Sequence, residues 1–278
     1  MVAIALAVAA SLTWGAADFG GGLLARRFPA VGVSAVSQAA GFVVLLAAVA
    51  VSGGGIRGHG FALGLAAGVG GGLGLAAFYR ALAIGTVSVV APIAACGAVV
   101  PLALALASGD DPSGLALIGA VVALSGAILA SVEERTAEER ERRDAVALAA
   151  GAALLLGLFV YFLGRGSQHG GVLSALVGAR TASLALLVVW ALVTRTSLRF
   201  GRATGAVAAV GLMDVAANAL FALASREGLL AIVSVGGSLY PVPTVVLAHV
   251  VLGERISGVQ RFGIALALAG VVAVAASP

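Results

Sequence analysis

Apolar residues in this chain come in runs of about twenty, each closed by a short cluster of charge, glycine or proline. A helix needs about 20 apolar residues to cross a hydrocarbon core of ~30 Å. The pattern predicts ten membrane spans: 2–24, 31–52, 61–79, 87–107, 115–132, 145–163, 172–193, 204–223, 229–251 and 262–277. The breaks between them are ARRFPA, SGGGIRGHG, the turn from Arg80 to Thr86, SGDDPSG, EERTAEERERRD, GRGSQHGG, TRTSLRFGR, SREG and GERISGVQR. No stretch alternates as a barrel strand would, and an open sheet would leave unpaired backbone groups in lipid. The predicted class is an all-α polytopic membrane protein with ten transmembrane helices.

Composition agrees. The chain is 61% hydrophobic and 10% charged, with a mean hydropathy of +1.14, where a soluble domain carries about 25% charged residues. The opening MVAIALAVAASLTWGAAD resembles a signal peptide but has no basic n-region, and further spans follow at once, so it reads as a retained helix. Every base is arginine, and the isoelectric point is about 10.2. In a soluble protein that would suggest nucleic acid; between apolar runs the arginines set topology instead. Loops 1–2, 3–4, 5–6, 7–8 and 9–10 hold twelve of them, and the other loops hold Arg57, Arg165 and Arg226. Cytoplasmic loops collect arginine, so both termini are expected outside an inner (plasma) membrane. Cys96 is alone, which excludes an intrachain disulfide.

The chain also repeats itself. Residues 109–126, GDDPSGLALIGAVVALSG, align with 253–270, GERISGVQRFGIALALAG, at an offset of 144. The match pairs Gly109 with Gly253, Gly114 with Gly258, Gly119 with Gly263, Gly126 with Gly270, and Asp110 with Glu254. Gly85 aligns with Gly228 at 143, and Gly15 with Gly157 at 142, a drift that small loop insertions would give. The expected organisation is a first five-helix unit at 1–132, a charged linker at 133–144 and a second unit at 145–278. Five is odd, so the second unit is inverted, as in secondary transporters that bind substrate at the repeat interface.

The residues that carry this repeat also resemble a known family. SLYPVPTVVLAHVVLGERISGVQRFGIALALAGV is similar to the ending of EamA-type carriers of the drug/metabolite transporter superfamily, through Pro241, Glu254, Arg255, Gln260, Gly263 and Gly270. Trp14–Gly15 resembles the first helix of many members. The resemblance implies ten helices in two inverted repeats and export of amino acids or related metabolites. The first unit departs from the pattern: Asp110 replaces the glutamate, Pro101 lies four places later than the repeat predicts, and Gln38 stands where the second unit has Arg180.

Few polar side chains lie deep in the spans, and an ionisable one there costs about 2.5–3.5 kcal/mol on insertion scales, so it marks a candidate site. Asp214 is midway along its span, with Asn218 one helical turn on, sharing its face. They line a cavity or hydrogen-bond two helices together. Arg180 either pairs with Asp18 or Asp214, the only carboxylates away from loops, or holds an anionic substrate group in a forked contact. Asp18 either exchanges a proton for substrate or is an inert partner of Arg180. Trp14, one turn from Asp18, and Tyr240, beside Pro241 where a helix must lose backbone bonds, are further cavity candidates. Trp190 reads as an interface anchor. Gly64, Gly68 and Gly72 repeat at every fourth residue, a close-packing pattern.

His59, His169 and His249 form no metal motif, and no nucleophile–base constellation is visible, so neither an enzyme, a cofactor nor a metal is expected. The function this predicts is a secondary transporter moving a small organic metabolite by alternating access, with proton coupling through Asp18. Its expected partners are that solute, the bilayer and protons, and no nucleic acid. Two alternatives stand beside it: a membrane-embedded lipid-modifying or head-group-translocating protein, which lacks a catalytic cluster here, and a scaffold, which would not need Asp18, Arg180 and Asp214 at depth.

Overall fold

A computed structural model of the chain describes residues 1–52, 55–56, 58–85, 90, 93–94, 96–130, 139–252 and 257–276. Arg57, Arg135, Glu254, Arg255 and residues 133–138 of the linker lie outside the described residues. Among those described, the elements are helices and turns: α1 (Val2–Ala25), α2 (Ala30–Ser52), α3 (Gly58–Ile84), α4 (Val99–Ala107), α5 (Gly114–Ala130), α6 (Glu139–Gly170), α7 (Val172–Val193), α8 (Thr204–Glu227), α9 (Leu230–Gly237), α10 (Pro241–Leu252) and α11 (Gly258–Ala275). Short 3₁₀ turns at Cys96–Ala98 and Gly201–Ala203 precede α4 and α8.

Among the described residues, seven helical stretches are long and apolar enough to cross a bilayer: Val2–Ala25, Ala30–Ser52, Gly58–Ile84, Arg143–Gly170, Val172–Val193, Gly201–Glu227 and Leu230–Val251. Cys96–Ala107, Gly114–Leu129 and Gly258–Val274 are shorter apolar helices. The distribution of side chains fits lipid as solvent. Val43, Val193, Val250, Phe262 and Val272 are exposed, whereas the buried positions are mainly alanine and glycine. Between membrane helices there is no hydrophobic drive, so small residues that let backbones approach supply the packing. The protein is therefore a multi-pass, all-helical membrane protein.

The glycines place the helices. Gly64, Gly68 and Gly72 of α3 lie against Ala175, Ala179 and Ser183 of α7, where a Cβ would strike backbone. Gly211 of α8 lies against the Ser37 carbonyl of α2. Gly119 and Gly126 of α5 meet Gly270 and Gly263 of α11. At the start of α11, Ser257 and Gln260 cap each other reciprocally: the Gln260 amide donates to Ser257 Oγ at 3.2 Å and the Ser257 amide to Gln260 Oε1 at 2.8 Å. This satisfies two otherwise free amides and gives Gln260 a structural role.

Several predicted breaks are helical. Helix α3 runs on to Ile84, so Arg80 is an exposed residue of a helix and not of a turn. Helix α8 includes Ser225–Arg226–Glu227. Helix α6 continues through GRGSQHG to Gly170, and the predicted loop shrinks to Gly171. The reason is that Gly166 and Gly170 are crossing contacts against Ala175 and Gly60, not chain breaks. Gly171 turns the chain at φ +92°, in the region that favours glycine. The span expected as one helix over 229–251, with lost backbone bonds or a kink at the proline, is two helices: α9 ends at Gly237 and α10 begins at Pro241. Thr244 Oγ1 donates to the Tyr240 carbonyl at 2.9 Å and to Gly15 O at 3.1 Å, which ties the interruption to α1.

Candidate functional site

The interruption between α9 and α10 opens onto a cavity of ≈ 80 Å³. Trp14, Asp18, Arg180, Asp214, Asn218 and Tyr240, each singled out in the sequence, all line it. They come from four different places along the chain. Helix α1 carries Trp14 and Asp18 one turn apart, α7 carries Arg180, α8 carries Asp214 and Asn218 one turn apart, and Tyr240 ends the turn before Pro241. Four-residue spacing puts each helical pair on one face.

A polar relay runs along one wall. Trp14 Nε1 donates to Asn218 Oδ1 at 2.9 Å, and Asn218 Nδ2 donates to Asp214 Oδ2 at 3.3 Å. Arg180 Nη2 donates to the same Asp214 oxygen in an ion pair whose side chains are 6% and 16% exposed. Trp14 also stacks obliquely on Phe221, ring centroids 5.5 Å apart. Of the two aspartates considered for Arg180, the structure pairs it with Asp214. Asp18 borders the cavity half-buried, and no hydrogen bond or salt bridge to it is found among the described residues. The lining also includes apolar side chains: Leu75, Leu156, Phe159, Val160 and Leu176.

Sequence reasoning passed over part of the site. Ser183 Oγ donates to Gln38 Oε1 at the cavity edge, joining α7 to α2, and both side chains are buried. Gln38 is a buried polar residue in a span, but its amide is not ionisable, so the rule that chose Asp214 does not reach it; the signal that could have found it is its position where the repeat has Arg180. A second arginine–aspartate pair was hidden because both partners were assigned to loops. Arg165 Nη2 lies 3.1 Å from Asp110 Oδ1, while Asp110 Oδ2 accepts the Ala231 amide at 2.9 Å at the start of α9. This pair ties the α4–α5 turn to α6 and α9, away from the cavity. His59 and His169, distant in sequence, bring their rings to 6.2 Å. No cluster of three or more metal-ligating side chains occurs among the described residues. Trp190 is exposed, as an interface anchor would be.

The model of the EamA-like transporter family matches residues 144–276, and that family is part of the drug/metabolite transporter superfamily. The resemblance read in the sequence is borne out over that stretch, and it points to a membrane transporter of small molecules. No curated protein matches the chain. A crystal structure of another protein superposes with a TM-score of 0.75 over 96% of this chain and 98% of its own, at 18% identity. That likeness concerns the fold alone.

Proposed function

We propose that the protein is a ten-helix secondary carrier of two inverted five-helix units, 1–132 and 145–278, joined by 133–144. It exports a small organic metabolite, an amino acid or related compound, by alternating access. Asp18 couples the movement to protons, and Trp14, Arg180, Asp214, Asn218 and Tyr240 form the substrate site. The observation that carries the reading is the convergence of all six side chains on one cavity. The family match supports transport over enzymatic or lipid-modifying activity.

The contacts support the inverted units, because they occur in exchanged pairs. Gly68 lies against the Ala179 carbonyl, and its counterpart Gly211 against the carbonyl of Ser37, the counterpart of Ala179. Gly157 lies against the Gly97 carbonyl and the Val100 side chain; Gly15 lies against the Tyr240 carbonyl and the Pro243 side chain. A Cβ on Gly119 would meet the Gly270 carbonyl at 2.9 Å, and one on Gly126 would meet the Gly263 carbonyl at 2.7 Å. This last pair makes α5 and α11 antiparallel. Exchange of each residue for its counterpart turns one contact into the other, which supports units related by a two-fold axis perpendicular to the helices, as inverted repeats need. The arginine distribution supports a cytoplasmic 133–144 segment, with both termini outside an inner (plasma) membrane.

A carboxylate that alternates between a closed and a water-filled setting changes its affinity for protons, and by linkage substrate and proton then affect each other's binding. In proteoliposomes the protein is expected to drive proton flux when a transported amino acid or amine is added. Asp18→Asn is expected to abolish that flux and flatten the pH dependence of transport, with substrate exchange retained. Uphill transport by Asp18→Asn equal to the parent's would overturn the proton role. Folded protein that moves no member of a panel of amino acids, amines and organic acids would overturn the carrier reading.

A further inference from the structure

We infer that the cavity binds a small organic cation, an amine on an apolar body, with Asp18 as its counter-ion, and that it does not require a carboxylate on the occupant. The inference rests on the carrier reading and narrows it. Among the described residues, three charged side chains line the cavity: Asp18, Arg180 and Asp214. The last two neutralise each other in their ion pair. Asp18 is left with no hydrogen bond or salt bridge among the described residues, so the fully ionised cavity carries one net negative charge. An anionic occupant would have to take Arg180 from Asp214 and then sit beside two carboxylates. A cation meets Asp18 directly and breaks nothing.

The uncharged lining agrees. Trp14, Phe159 and Tyr240 bring aromatic rings to the same space, and an ammonium within about 6 Å of such a ring is attracted by its negative face. Carboxylate and aromatic faces together are the chemistry that recognises amines. Leu75, Leu156 and Val160 add hydrocarbon to the lining, which suits an alkyl body, while Gln38, Ser183 and Asn218 are already engaged in hydrogen bonds with protein partners. The volume of ≈ 80 Å³ would hold about five to eight waters at ~10–15 Å³ each, the scale of a short branched amine.

The test is binding to purified protein carrying Trp190→Phe. The chain has two tryptophans, so the remaining emission comes from Trp14 in the cavity. Isoamylamine, leucine and 4-methylpentanoate share one alkyl body and differ only in charged groups. Isoamylamine is expected to shift Trp14 emission saturably and to bind at least 100-fold more tightly than 4-methylpentanoate. Asp18→Asn should weaken isoamylamine at least 100-fold, while Asp18→Glu, which keeps the charge, should bind it within 10-fold of the parent. Binding of leucine or 4-methylpentanoate without isoamylamine overturns the cation assignment and leaves the carrier reading standing. Isoamylamine binding unchanged in Asp18→Asn overturns the role of Asp18. No binding of any of the three, with transport of another solute intact in proteoliposomes, also overturns the inference. Loss of both binding and all transport removes the carrier reading as well.

Discussion

Gly15 and Gly157 lie 142 residues apart and serve alike: each admits a backbone carbonyl, that of Tyr240 just before α10 in one case and that of Gly97 just before α4 in the other. Asp18 and Val160 are also 142 apart, and both line the cavity, yet one is a carboxylate and the other hydrocarbon. The contrast is general. At the crossings Gly68 matches Gly211, Gly119 matches Gly263 and Gly126 matches Gly270. Around the cavity Leu156 stands opposite Trp14, Gly71 opposite Asp214, Leu75 opposite Asn218, and Gln38 opposite Arg180. On the proposed two-unit reading, a crossing demands the same backbone clearance in both units, so the residue cannot diverge. A cavity wall faces open space, and its side chains are free to become unlike. On the inverted-unit reading, a symmetric frame holds an asymmetric site, as an occupant with one charged end would need.

The largest effect is expected at the frame. A Cβ on Gly211 would overlap the Ser37 carbonyl, and backbone on both sides cannot yield without separating α2 from α8. Gly211→Ala should lose folded, monodisperse protein in size-exclusion chromatography. Gly205, in the same helix, has nothing within 4 Å of a Cβ. Gly205→Ala should be neutral or stabilising by up to about 1 kcal/mol, the ordinary helix preference for alanine over glycine. A Gly211→Ala protein that melts with the parent would show that crossing glycines are dispensable and dissolve the comparison.

The next effect belongs to the wall. Arg180→Ala strands Asp214, and breaking a buried pair by removing one partner costs about 3–5 kcal/mol. Arg180→Ala with Asp214→Ala should recover most of the lost thermal stability, whereas Arg180→Ala with Asp18→Ala should recover none, because Arg180 is paired with Asp214 and not with Asp18. Rescue by the Asp18 change instead would reassign the pair and return Asp18 to a structural role. Arg180→Ala/Asp214→Ala also tests the charge of the cavity: Asp18 still sets it, so the recovered protein should bind isoamylamine more tightly than 4-methylpentanoate, whatever the loss of overall affinity.

How much of this was legible depended on whether a feature is local. Apolar run length is local, and it located most spans. A polar residue inside such a run is local too, and that signal marks Asp18, Arg180, Asp214 and Asn218; Trp14 follows from its spacing to Asp18 and Tyr240 from the adjoining proline. The proline at 241 marked where backbone bonds are lost, and it lies where α10 begins after the break from α9. What the sequence hides is which residue lies across a crossing. The glycines of GRGSQHGG look like a loop because glycine breaks helices in water, but here they face Gly60 and Ala175 in a crossing and the helix runs on. Arg165 and Asp110 were both assigned to loops for the same reason, and their pairing needed the packed structure. The choice between Asp18 and Asp214 as partner of Arg180 is a distance between helices, which residue spacing does not encode.

The smallest effect should come from the hydrogen bond at the head of the relay. Trp14 Nε1 donates to Asn218 Oδ1 at 2.9 Å, and its ring leans on Phe221. Trp14→Phe keeps an aromatic surface there and removes the donor, leaving Asn218 Oδ1 with one partner fewer. A neutral hydrogen bond contributes about 0.5–1.5 kcal/mol net, and the loss should lie in that range when unfolding is followed by circular dichroism. Asn218→Leu, which installs the residue found at the counterpart Leu75, should cost more, about 1–3 kcal/mol, because it leaves a buried indole N–H with no acceptor. The order of these two changes is the sharper result. If the wall is polar only to glue α1 to α8, replacing both residues by apolar ones, Trp14→Phe with Asn218→Leu, should restore stability and leave amine binding intact. If the relay also orients Asp214 toward Arg180, that double variant should regain stability yet bind isoamylamine more weakly, since a displaced Asp214 no longer cancels the charge that Asp18 shares the cavity with.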